Sequence, residues 1–158
     1  MEKGASANFI VRHLAARGAA TAVHAFDSFE GLPEEGSVIF EQRGKFSLKG
    51  LLPPVLPNVR LAKGWFSDTI NPFTAANPGP IALLQVDCDL YSPTRDILAR
   101  VAGRLVPGSV IVFDAYFNYH NWQQHEFRAW HELVAESRAR HTYRGFAARG
   151  GQVCVTLL

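Results

Sequence analysis

Little in this sequence would staple, anchor or extend it. It has only two cysteines, Cys88 and Cys154, far apart and without a CxxC partner. That excludes a disulfide scaffold and a zinc module and suits a reducing, cytoplasmic setting. No apolar run approaches the ~18 residues of a membrane span, and Met1-Glu2-Lys3-Gly4 lacks the apolar stretch of a secretory signal. Charge of one sign is also missing: 16 basic against 14 acidic residues leave +2, without the basic stripe that nucleic acid requires. There is no internal repeat and no low-complexity tract. What remains is 158 residues, 47% apolar and 19% charged. This is the make-up of one globular domain with a single core, and of neither a disordered chain nor a coiled coil.

Four short β-rich apolar runs, each closed by a polar or turn residue, read as buried strands. They are 22–26 before Asp27, 59–62 before Lys63-Gly64, 81–86 before Asp87 and 109–113 before Asp114. A terminal hairpin follows, 141–147 with 152–158, turning at Arg149-Gly150-Gly151, whose glycine pair suits the positive φ of a tight turn. Three helices are predicted. Ser6 caps one that runs to about Arg17, with Phe9, Ile10 and Leu14 on one face and Gly18 as its stop. Ser92-Pro93 starts a second that reaches about Gly103. The third runs from about Asn121 to Arg138 and presents Phe127, Trp130, Leu133 and Val134. Apolar strands alternating with amphipathic helices predict an α/β, Rossmann-like fold, a mostly parallel sheet with helices on both faces and a C-terminal antiparallel hairpin. Residues 34–58, with Pro53, Pro54 and Pro57, are long for a connection. A lid over a site and an ordered surface excursion both account for them.

Ligands of an open parallel sheet bind beyond the carboxyl ends of its strands. Three of the four strands here end in aspartate: Asp27, Asp87 and Asp114. One such aspartate is an ordinary helix cap. Three on one edge, with strands ~4.8 Å apart, make a cluster that needs a cation, a proton or a donor between its charges. Mg²⁺ is the kind of hard ion such oxygens suit. Asp89, two residues past Asp87, is placed to take up a proton. If the sheet binds a nucleoside, Asp27 can accept hydrogen bonds from ribose hydroxyls. Gly4-Ala5-Ser6 then belongs to a loop before the first helix, whose N–H groups can hold a carboxylate or phosphate. His125-Glu126 opens like an HExxH zinc site, but position 129 is Ala129 and His131 falls on another face of the helix, so zinc is not expected. His120 and His125 read as substrate contacts or as ordinary surface residues, and Trp122 and Trp130 as core or pocket wall.

Four ordered stretches resemble one family. Phe26 to Pro33 resembles the FDSFEGLP stretch of the macrocin O-methyltransferase-like family, within the class I S-adenosylmethionine-dependent methyltransferases. Lys63 to Thr69 resembles its KGxFxDT loop, Val86 to Ser92 its DxDLYxST segment, and Pro107 to Tyr116 its PGGxIxFDDY strand. Phe117-Asn118-Tyr119, Trp122 and His125-Glu126 are similar to a branch with FNYPxWxxHE at this position.

The resemblance implies S-adenosylmethionine as cofactor and O-methylation of a small-molecule hydroxyl, on a sugar or natural product, with no nucleic-acid or membrane partner. Gly4 and Ser6 match the loop around the methionine portion, Asp27 with the adjoining Ser28 the ribose site, and Gly64, Trp65 and Phe66 the loop beside the adenine. Asp87 and Asp114 match metal ligands and Asp89 the general base, while Tyr91, Tyr116 and His125 are the substrate contacts expected beside them. Ala115 stands where the family has a second acid after Asp114, so Mg²⁺ binding is expected to be weak. The family opens with a buried strand and a glycine loop, and this chain starts inside that loop. The expectation is therefore a domain without its first, central strand, from a shortened reading frame, that binds cofactor poorly. Two readings compete with the methyltransferase: a metal-dependent glycosyltransferase, prompted by Asp87-Cys88-Asp89, and a methyltransferase fold that has lost turnover and serves as a binding protein.

Overall fold

In the computed structural model, which describes residues 3–34 and 43–158, the four apolar runs become strands and the C-terminal hairpin forms. These residues group into two units, 3–34 with 43–69, and 70–158.

The first unit contains α1 (Ala5–Ala16), β1 (Val23–Asp27) and β2 (Val59–Lys63). β1 and β2 pair in parallel, from Val23 opposite Val59 to Asp27 opposite Lys63. Ala7 and Val11 of α1 form a small core with Ala25 and Val59, joined by Val23, Val55, Leu56 and Leu61. The buried face of α1 is therefore not the one expected, and Phe9 is 69% exposed. Nor does Ser6 cap the helix. Gly4 is the N-cap, at φ 69 and with no side-chain cap bond. A Cβ there would lie 2.8 Å from Val55 Cγ1, so the close passage of residues 53–57 requires glycine. Gly18 ends the helix as expected, its N–H donating to the Ala15 carbonyl at 2.9 Å. The described part of the 34–58 connection is tied down: Leu32 N–H donates to Lys45 O, and Leu48 and Gly50 N–H donate to Phe29 O, all at 3.0 Å. The Asn8 Oδ1 accepts from Leu56 N–H at 2.8 Å. Residues 35–42 of that connection lie outside the described residues.

A fourth helix, α2 (Phe66–Ala76), was not legible in the sequence, because Pro72 sits inside it and only Ile70 is buried, leaving no apolar stripe to read.

The second unit contains β3 (Leu83–Val86), α3 (Tyr91–Val101), β4 (Val110–Phe113), α4 (Glu126–Ser137), β5 (His141–Phe146) and β6 (Val153–Leu157). The strand order is β3-β4-β6-β5, with β3 and β4 parallel and the other pairs antiparallel. Leu98, Ile111, Phe113, Trp130 and Val155 are fully buried, and the Phe113 and Trp130 rings meet at 5.6 Å. Ser92 does not cap α3, which begins two residues earlier than expected, at Tyr91 with Leu90 as N-cap. Pro93 falls in the first turn, where its missing N–H has no helical partner to lose. The expected helix from Asn121 is broken. Asn121 is left-handed at φ 58, residues 122–124 form a single 3₁₀ turn, and the α-helix restarts after His125. Gly150 and Gly151 do not take the expected positive φ. Gly151 is needed for room instead: a Cβ would sit 2.9 Å from the Phe117 carbonyl oxygen and 3.2 Å from that of Asp114.

The strands lie in two sheets, β1-β2 and β3-β4-β6-β5, and no strand among the described residues pairs between β1 and β3. With ladders on one side only, β1 and β3 are not the buried strands their apolar runs suggested. Only Ala25 is buried in β1, and Leu83 of β3 is 44% exposed. Among the described residues no helix is long and apolar enough to cross a membrane.

Candidate active site

Each predicted aspartate stands at the carboxyl end of a parallel strand. In the first unit, Asp27 is the last residue of β1. Its Oδ1 accepts the Phe29 N–H at 2.6 Å, closing an Asx turn in which buried Phe29 adopts φ 59. The Ser28 Oγ accepts from Glu30 N–H at 3.1 Å in the same way. Gly64 N–H donates to the Asp27 carbonyl at 3.0 Å, which brings the loop after β2 beside the loop after β1. Trp65 is exposed and Phe66 opens α2. The seven residues read as the cofactor side, Gly4, Ser6, Asp27, Ser28, Gly64, Trp65 and Phe66, thus all belong to the first unit. A half-buried carboxylate at the end of a parallel strand suits a ribose diol.

In the second unit the β3–β4 ladder ends at Val86 opposite Phe113, so Asp87 and Asp114 follow side by side. The Asp114 N–H donates to Val86 O at 2.9 Å and continues the ladder by one bond. Gln152, from the hairpin, donates its Nε2 to Asp114 Oδ1 at 3.3 Å. Asp89 sits at φ 61, and the Leu90 N–H donates back to Cys88 O at 2.7 Å. That bond spans only three residues, which makes the turn a γ-turn of the positive-φ kind, rare and strained for a residue with a side chain.

The carboxylate that organises this edge is not among the predicted site residues. Glu126, the first residue of α4 and fully buried, accepts from Cys88 N–H at 3.1 Å and Asp89 N–H at 3.2 Å through Oε1. Its Oε2 accepts from Ala115 N–H at 3.0 Å. Burial pushes its carboxyl up to about 8, against the pull of the three amides. The signal for it was present: positions 126, 129, 130 and 133 share one helix face, and all four are buried. Burial also pushes the Cys88 thiol up, so Cys88 is a packing residue rather than a nucleophile.

The residues expected to meet substrate are placed unequally. The Tyr91 hydroxyl donates to Glu132 Oε2 at 2.6 Å, and Arg128 lies 4.4 Å over its ring. The bond to Glu132 raises the Tyr91 pKa and lowers that of Glu132. Tyr116 is 4% exposed, with its hydroxyl 2.7 Å from that of Tyr143 and 3.4 Å from His131 Nε2. Its side chain is packed away rather than open to a substrate. His125 sits at the break before α4, its ring 6.1 Å from that of Tyr119.

Among the described residues no three His, Cys, Asp or Glu side chains gather as a metal cluster. Asp87 and Asp114 make a two-carboxylate set, which suits Mg²⁺ when water completes its shell.

Parallel strands alternating with helices, closed by an antiparallel hairpin, are the architecture of a class I methyltransferase-type fold. Among solved structures, the O-methyltransferase NovP aligns with a TM-score of 0.68 at 22% identity, over 97% of this chain and 67% of that one. The chain belongs to the macrocin O-methyltransferase (TylF) family, whose profile matches residues 41–139. It is 35% identical over 135 residues to the 8-demethyl-8-(2,3-dimethoxy-α-L-rhamnosyl)-tetracenomycin-C 4′-O-methyltransferase of Streptomyces olivaceus, covering 72% of this chain and 49% of that protein. To the mycinamicin III 3″-O-methyltransferase of Micromonospora griseorubida it is 33% identical, over 75% of this chain and 40% of that one. The chain therefore spans half or less of the curated relatives it matches.

Proposed function

We propose that this chain is an S-adenosylmethionine-dependent O-methyltransferase acting on a hydroxyl of a sugar borne by a small natural product, within one cytoplasmic methyltransferase domain. The observation that carries this is the triad of acids at one strand edge, Asp87 and Asp114 in register with Asp89 two residues on, in a chain of this family.

S-adenosylmethionine is the co-substrate and supplies an activated sulfonium methyl. Asp27 accepts from its ribose hydroxyls and Ser28 adjoins it. Gly4 and Ser6 border the methionine portion, and Gly64, Trp65 and Phe66 the adenine. On the acceptor side, Asp89 takes the hydroxyl proton as the oxygen bonds to the methyl carbon and the carbon–sulfur bond breaks toward sulfur. Tyr91 and His125 border the acceptor, and Tyr116 backs that wall. Asp87 and Asp114 would hold Mg²⁺, which when bound lowers the pKa of a coordinated hydroxyl. Ala115 adds no side-chain oxygen, so the ion is held weakly.

The test pairs calorimetric titration of S-adenosylmethionine with transfer of its labelled methyl to an α-L-rhamnoside. Heat of binding and labelled methyl ether are expected. A chain stabilised against heat by nucleotide sugars, and not by S-adenosylmethionine, would be a glycosyltransferase instead.

A further inference from the structure

Resting on that reading of the site, we propose that Glu126 is a positioning residue for the reaction. It holds Asp89 in its strained turn, and joins the loop after β3 to the turn after β4, so that Asp89 meets the acceptor hydroxyl in one fixed orientation.

Three observations converge on it. First, an aspartate at φ 61 in a γ-turn is a conformation that persists only where the surroundings over-determine it. Second, the groups that over-determine it are identified: the amides on either side of the Cys88 α-carbon, Cys88 N–H and Asp89 N–H, both point at one oxygen, Glu126 Oε1. Third, the other oxygen takes the amide of Ala115, directly after Asp114. One buried carboxylate therefore fixes both strand exits at once.

The local fold is arranged to deliver that carboxylate. The 3₁₀ turn and the break at His125 end before Glu126, so α4 begins with this residue. Its side chain then lies at the helix N-terminus, between the amides of Cys88 and Asp89 and that of Ala115. Ala129, Trp130 and Leu133 bury the same face and keep the helix from rotating. A glutamate that served only to satisfy stray amides would have no reason to meet two separate loops, each adjoining a functional aspartate.

The proposal is tested with Glu126→Gln and Glu126→Ala, alone and combined with Asp89→Asn. Glutamine keeps the size of the side chain and one acceptor oxygen, but its NH2 cannot accept from an N–H, so one of the two loops loses its bond, whereas alanine removes both. Each Glu126 variant is expected to lower kcat by about 10–100-fold, with KM for S-adenosylmethionine within about twofold of the parent. Because Glu126 acts through Asp89, adding Glu126→Gln to Asp89→Asn should lower kcat no further. Losses that multiply in the double variant would overturn the proposal. So would a raised KM with kcat unchanged. Backbone chemical shifts of Asp89, which report its φ, give an arm independent of turnover. They should leave the left-handed range in Glu126→Ala while those of β4 and β6 stay in place. If the parent transfers no methyl, the enzymatic reading fails and these shifts alone decide the clamp; an Asp89 that keeps its φ without Glu126 overturns it.

Discussion

After β1 the chain turns on its own side chains. Asp27 holds Phe29, two residues on, and Ser28 holds Glu30. After β3 it turns on Glu126, 37 residues beyond Asp89. Both turns place a non-glycine residue at positive φ, Phe29 at 59 and Asp89 at 61. The side-chain bonds of the first lie within four residues, although the Phe29 carbonyl also takes the Leu48 and Gly50 amides. The second exists only once α4 has docked. A turn closed by neighbouring side chains is set by a short stretch of sequence, whereas one closed from a distant helix is set by the packing of that helix.

That contrast can be broken by experiment. The largest effect is expected at the non-local end. The carboxyl of Glu126 is held at about 8, against 4.5 in an unfolded chain, so between those values the folded state binds the extra proton. The group's contribution to stability is thus fully present below about pH 4.5 and is lost as pH rises through about 8, by a few kcal/mol. Denaturant titrations from pH 5 to 8.5 should show that decline in the parent, and a flatter profile in Glu126→Gln, which has no proton to lose.

At the local end, Asp27→Ala should weaken S-adenosylmethionine binding by about 1.5–3 kcal/mol, the range of a charge-assisted hydrogen bond. Asp27→Asn keeps an oxygen for Phe29 N–H and separates the turn from the cofactor contact in the same calorimetric titration. The smallest change is Ser28→Ala, which removes one local hydrogen bond. An unfolding-stability loss of about 0.5–1.5 kcal/mol is expected, with kcat unaltered. A larger effect on kcat would show that the first turn, too, acts on the chemistry.

The same contrast separates what was legible in the sequence from what was not. Strands ended by Asp27, Asp87 and Asp114 could be read because apolar runs and the polar residue that stops them are neighbours in the chain. The stop at Gly18 was equally local. The starts of α1 and α3 were misread because Ser6 and Ser92 are good caps in isolation, while Gly4 and Leu90 hold those positions for tertiary reasons. α2 was hidden by Pro72 and its single buried residue. Glu126 enters the sequence reading as half of a failed zinc motif and as the end of the FNYPxWxxHE-like stretch, with no role of its own. Its role depends on amides of two distant loops, which no spacing rule within one helix reveals, although its place on the buried face of α4 could have marked it.

The most direct measurement is transfer of labelled methyl from S-adenosylmethionine to a rhamnoside hydroxyl by the parent chain and by Asp89→Asn, side by side. The expected result is methyl ether from the parent and a rate lower by about 10²–10⁴-fold in the variant, with the calorimetric affinity for S-adenosylmethionine unchanged. Transfer by Asp89→Asn at the parental rate, or no transfer by a parent that binds S-adenosylmethionine, would contradict it.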